Sequence, residues 1–125
     1  MIIGNNSIKE DNITEQAVKL ILSCNDEELK RLRLRDVAKA VDTFAALLYI
    51  KFIIEHKITF NRLVEREKIH RAIFYLDENP GLKIEDLSKK LGFPAIPVFE
   101  EKFEKYLLVK PERYKRLVMI RNSAS

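Results

Sequence analysis

LKIEDLSKKLGF, residues 82–93, decides how the chain is read. Leu82, Ile84, Leu87 and Leu91 recur at helical spacing. Ser88 is small enough for a close helix crossing. Gly92 supplies the backbone freedom that ends a helix in a tight turn. Fifty residues earlier stands LRLRDVAKAVDT, residues 32–43. It repeats the pattern position by position: Leu34 for Ile84, Asp36 for Asp86, Val37 for Leu87, Ala38 for Ser88, Val41 for Leu91 and Asp42 for Gly92. Beyond the turn the match continues at an offset of 51, with Phe52 for Phe103 and Ile58 for Val109. The single extra residue falls near Gly92–Pro94. One helical unit is therefore built twice, too few times for a solenoid.

Each copy has the same plan of a helix, a short helix of about two turns, a tight turn and a longer helix. Val37, Val41, Leu48 and Phe52 are expected to close one core, and Leu87, Leu91, Phe99 and Phe103 the other. The first helix is expected to start at Asn12 or Thr14, which can cap it, with Ile13, Ala17, Leu20, Ile21 and Cys24 on its apolar face. The charged run EELKRLRLR reads as a connection. Thr59 caps a long helix that ends at DENPG, residues 77–81, where Pro80 cannot continue it. Pro94 and Pro97 suit a first helical turn and put the next start near Ala95. The spacing divides the chain into a flexible tail (1–11), a first subdomain (12–58), a linker helix (59–79), a second subdomain (80–120) and a C-terminal tail (121–125).

The bulk numbers agree with an all-α reading. Only 3 Gly and 4 Pro occur in 125 residues, too few turn formers for a fold of many short strands. A single cysteine, Cys24, excludes an intrachain disulfide and fits a reducing cytosol. The start, MIIGNNSIKEDN, lacks the apolar core of a signal peptide. The most apolar run, Phe44–Ile54, is interrupted by Lys51 and is far below the ~20 residues of a membrane span. Net charge is +4, compatible with a polyanionic partner without proving one. His56 and His70 stand apart from any cysteine or carboxylate set at metal spacing, and no glycine-rich phosphate loop or nucleophile motif occurs. No catalytic residue, metal site or cofactor is expected.

Taken together, Ile69-x-x-Ala72-x-x-Tyr75-Leu76, the 82–93 stretch, Phe99-x-x-x-Phe103-x-x-Tyr106 and Val109-Lys-Pro111-x-x-Tyr114-Lys-Arg116 resemble the DNA-binding domain of AraC/XylS-family transcription regulators. The resemblance covers about residues 13–118. It implies an all-helical domain of about seven helices, with two helix-turn-helix subdomains joined by the linker helix. It also implies a bacterial, cytoplasmic, nucleoid-associated regulator whose partner is double-stranded DNA, with two helices reading adjacent major grooves. RNA polymerase, a regulatory domain or a second copy would be its protein partners.

The positions that would meet base edges are Thr43, Ala46, Tyr49 and Ile50 in the first unit and Ile96, Glu100 and Glu101 in the second. The family's usual arginines are missing from both sets, and Lys57 and Leu108 replace the glycine that usually follows each reading helix. Two readings of Phe44–Ile54 stay open. Ala45, Ala46, Tyr49, Ile50 and Ile53, away from the core, contact thymine methyls in a groove, or they form a protein contact or dimer seam. For the second helix, a glutamate can accept from cytosine N4, but Glu100, Glu101 and Glu104 together disfavour a polyanion. The alternative is a solvated helix packed through its phenylalanines, with Lys102 and Lys105 offsetting part of the charge. Phosphate contacts are expected from Arg33, Lys57, Arg62, Lys105, Lys110, Arg113 and Arg116.

Overall fold

The computed structural model describes the backbone of residues 2–124 and the side chains of residues 13–124. In chain order the elements are α1 (Ile2–Ser23), α2 (Asp26–Arg31), α3 (Leu34–Ala40), α4 (Ala45–Lys51) with a π-helical turn continuing it (Phe52–His56), α5 (Phe60–Glu78), α6 (Ile84–Lys90), α7 (Ile96–Leu107) and α8 (Pro111–Ala124). Every regular element among the described residues is helical. None of these helices is long and apolar enough to cross a membrane. The chain forms two compact units, the first ending at Val64 and the second beginning at Glu65.

The doubled pattern of residues 32–43 and 82–93 appears as two copies of one hydrogen-bonded turn. After α3, the Asp42 N–H donates to the Lys39 carbonyl at 3.2 Å and the Thr43 N–H to the Ala38 carbonyl at 2.9 Å. After α6, Gly92 donates to Lys89 and Phe93 to Ser88, both at 3.0 Å. This is the Schellman ending, which needs a left-handed residue. Asp42 (φ 59°) and Gly92 (φ 80°) supply it. From there Phe44 is the N-cap of α4, whereas Phe93 and Pro94 precede the N-cap Ala95 of α7. The extra residue of the second copy lies in that stretch.

In the first unit Ala17, Ile21, Leu29, Val37, Ala38, Leu48, Phe52, Phe60, Leu63 and Val64 form the core. Val41 and Cys24 pack partly buried against it, and the Cys24 thiol donates to the Leu20 carbonyl at 3.3 Å. In the second unit Ile69, Ala72, Leu76, Ile84, Leu87, Leu91, Phe99 and Phe103 do the same work. Phe93 meets Phe99 at 5.0 Å between ring centres, Phe99 meets Phe103 edge-on at 5.8 Å, and Phe103 meets Tyr114 edge-on at 5.6 Å. Such pairs add about 0.5–1.5 kcal/mol each beyond the area they bury. Thr59 caps α5 as expected, its hydroxyl accepting from the Arg62 N–H at 3.3 Å.

Two expectations are corrected. The helix expected to begin at Asn12 or Thr14 begins at Ile2. Thr14 is not a cap: it is buried, and its hydroxyl donates to Glu55 Oε1 at 2.8 Å, a tertiary bond across 41 residues. The connection EELKRLRLR begins as a helix, α2. Asn25 accepts from the Glu28 N–H while the Glu28 carboxylate accepts from the Asn25 N–H, a capping box that offsets the short length. This helix raises the count from about seven to eight. Residues 2–11 and 121–124 lie within α1 and α8; Met1 and Ser125 lie outside the described residues.

Candidate nucleic-acid interface

The first unit presents α4 through the face opposite Leu48 and Phe52, both wholly buried. On that face Tyr49, Ile50 and Ile53 are exposed, as expected, together with Ala46. The apolar surface is larger than the sequence reading recognised. Phe44 is 80% exposed and Ile54 62%, and Leu47 is exposed too. Helical spacing from Leu48 and Phe52 was the signal that would have found Leu47 and Ile54. Ala45 was expected outward but is partly buried against the core, because it lies three and seven residues before Leu48 and Phe52 and so shares their stripe. Thr43 is partly buried beside the turn. The charged side chains along this run, Lys51 and Glu55, pair with each other at 3.6 Å.

The second unit presents α7 with the opposite chemistry. Phe99 and Phe103 point inward; Ile96, Glu101 and Glu104 are exposed, and Glu100 is partly buried. Lys102 does not neutralise these carboxylates from the same face. It reaches Glu65 of α5 at 3.2 Å, and the Tyr106 hydroxyl donates to the same carboxylate at 3.0 Å. Lys105 lies over the Tyr106 ring at 5.8 Å.

The cations sort themselves by partner. Residues 108–125 hold five Lys or Arg against one glutamate, so the chain's net charge resides there. Two of the five are engaged internally: Lys115 with Glu112 at 4.0 Å and Arg121 with Asp77 at 3.7 Å. The other three, Lys110, Arg113 and Arg116, are exposed and line one groove of about 300 Å³ at the junction of α7 and α8, with Glu104, Leu108, Val109 and Glu112. Among the described residues no side chain pairs with any of the three. Arg113 and Arg116 share one face of α8, and Lys110 stands just before its first residue, at the positive end of the helix dipole. In the first unit Arg33 precedes α3, Lys57 ends the π-helical turn and Arg62 lies in the first turn of α5. All three are exposed and likewise lack a side-chain partner among the described residues.

Two helix-turn-helix units with α5 running from one into the other are the fold of AraC-type DNA-binding domains. Three solved structures share it. The C-terminal domain of AraT, a response regulator from Geobacillus stearothermophilus, is 23% identical with a TM-score of 0.72, over 84% of each chain. An AraC-type transcriptional regulator from Chromobacterium violaceum is 17% identical with a TM-score of 0.78, over 87% of this chain and 94% of its own. A DNA-binding transcriptional dual regulator from Escherichia coli K-12 is 17% identical with a TM-score of 0.72, over 86% and 93%. At these identities the likeness is one of fold. No protein-family model and no curated protein matches the chain.

Proposed function

We propose that the chain is a DNA-binding regulator of transcription, acting in the bacterial cytoplasm, in which each unit offers one helix to a major groove. The observation that carries this reading is the groove where α7 meets α8. It gathers Lys110, Arg113 and Arg116 beside the second reading helix with no internal partner for any of them. Cations left unneutralised by their own fold suit phosphate oxygens, which position a protein on the duplex without reading sequence. Arg33, Lys57 and Arg62 play that part for the first unit, and Lys105 adds a cation on α7 itself. Base edges fall to Thr43, Ala46, Tyr49 and Ile50 on one helix and to Ile96, Glu100 and Glu101 on the other. A genome-wide map of bound protein tests the proposal. Discrete sites lost with Arg113→Glu and Arg116→Glu support it; an even or empty map contradicts it.

The apolar face of α4 favours one second reading, a protein contact or dimer seam through residues 44–54. Ile50→Lys combined with Ile53→Lys separates the two. Loss of a protein partner with DNA affinity kept or raised supports the seam, and loss of sequence preference supports the groove.

A further inference from the structure

We infer that α4 and the π-helical turn continuing it read thymine, their Ala46, Ile50 and Ile53 side chains packing on the C5-methyl groups of a thymine-rich half-site. The inference rests on the DNA-binding reading above and goes further by naming the base.

The second unit is an internal control for the first. Through the offset of 51, Tyr49 corresponds to Glu100, Ile50 to Glu101, Ile53 to Glu104 and Ile54 to Lys105. With charges at those four positions, α7 still closes its core through Phe99 and Phe103, both wholly buried. The fold therefore does not require apolar side chains there. On α4 and the π-helical turn continuing it they are exposed, and exposed apolar side chains gathered together mark a contact surface.

Chemistry then selects the occupant. The thymine methyl is the apolar feature that a base pair shows in the major groove. It suits Ala46, Ile50 and Ile53, while the exposed Tyr49, with no partner among the described residues, can donate its hydroxyl to a neighbouring acceptor. Arg33, Lys57 and Arg62 belong to the same unit and have no side-chain partner, so their charge calls for a polyanion. A second copy seated on this face would bring the same cations again. The carboxylate of the helix run, Glu55, is already shared by Thr14 and Lys51 and is poorly placed to neutralise them.

The test selects duplexes from a random-sequence pool with the full chain and then replaces each thymine of the selected duplex by deoxyuridine. That exchange deletes a methyl and keeps every hydrogen-bonding edge. Selection should enrich thymines in one half-site, and each contacted methyl removed should weaken binding about fourfold. Ile50→Glu, which installs the second unit's residue at an exposed position, should abolish the preference for thymine over deoxyuridine. Deoxyuridine duplexes bound as tightly as thymine duplexes would overturn the inference and leave the DNA-binding proposal standing. No binding to any duplex at low salt would overturn both. A dimer in sedimentation that Ile50→Glu dissociates, with duplex preference unchanged, would assign the face to a second copy and also overturn it.

Discussion

Lys57 and Leu108, 51 residues apart, both hold left-handed backbone, at φ 57° and φ 64°, and each terminates the helix of its unit that would enter DNA. Their N–H groups close the last turn on the Ile53 and Glu104 carbonyls at 3.1 and 2.8 Å. A side chain with a Cβ is disfavoured in that conformation, and glycine is not. Leu108 is 84% exposed, so its side chain packs little that would be lost. Leu108→Gly is expected to raise stability by about 0.5–1 kcal/mol, and Lys57→Gly by a similar amount. The check is a shift of the urea midpoint to higher concentration with an unchanged slope.

Thr14 distinguishes a helix cap from a buried partner. Were it a cap, aspartate would serve as well as threonine. Its hydroxyl instead donates to the Glu55 carboxylate from a buried position. Thr14→Val is expected to cost about 1–2 kcal/mol, and Thr14→Asp more, because it sets one carboxylate against another. Equal stability of the Asp variant and the wild type in chemical denaturation would show that the tertiary bond has no weight.

Phe52 and Phe103 occupy matching places in two separate cores and have no exposed surface. Truncating either to alanine is expected to cost about 3–5 kcal/mol through lost transfer energy and the cavity left behind. Hydrogen exchange read peptide by peptide should show the loss of protection concentrated in the unit that carries the substitution. Uniform loss over both units would contradict the division at Val64.

Tyr114 donates to Asp77 Oδ1 at 2.7 Å, joining α8 to α5. Burial first, and then that hydrogen bond and the Asp77 charge, push the phenol up to about 12 from its usual 10.0. Below pH 10.0 the phenol is protonated in both folded and unfolded chains, and the contribution is fully present. Above it the unfolded chain loses the proton first, so stability falls as pH rises toward about 12. An ultraviolet tyrosinate titration should find one tyrosine ionising late. Tyr114→Phe should remove that late step, flatten the alkaline fall in stability and cost about 1 kcal/mol at neutral pH.

What could be read from the sequence was local. The repeat between residues 32–43 and 82–93 foretold both turns, their left-handed residues and the small side chains at the crossings, because spacing of three and four fixes which side chains share a face. The capping box at Asn25 and Glu28 was equally local and was hidden by the charge around it. Partners distant in the chain were not legible: Thr14 with Glu55, or Lys102 and Tyr106 with Glu65, depend on how helices pack. The same holds for the candidate site. The spacing of Lys110, Arg113 and Arg116 was visible, but that these three stay unpaired while Lys115 and Arg121 are engaged follows only from the folded chain.

The most direct measurement is the affinity for duplex DNA as a function of salt, for the wild type and for a variant with Lys110, Arg113 and Arg116 changed to alanine. If the groove between α7 and α8 grips phosphates, the plot of log affinity against log salt is steep for the wild type. In the variant it is shallower by roughly 0.9 for each cation removed. Binding that is undetectable at ~50 mM salt, or a slope the triple variant leaves unchanged, would contradict the account.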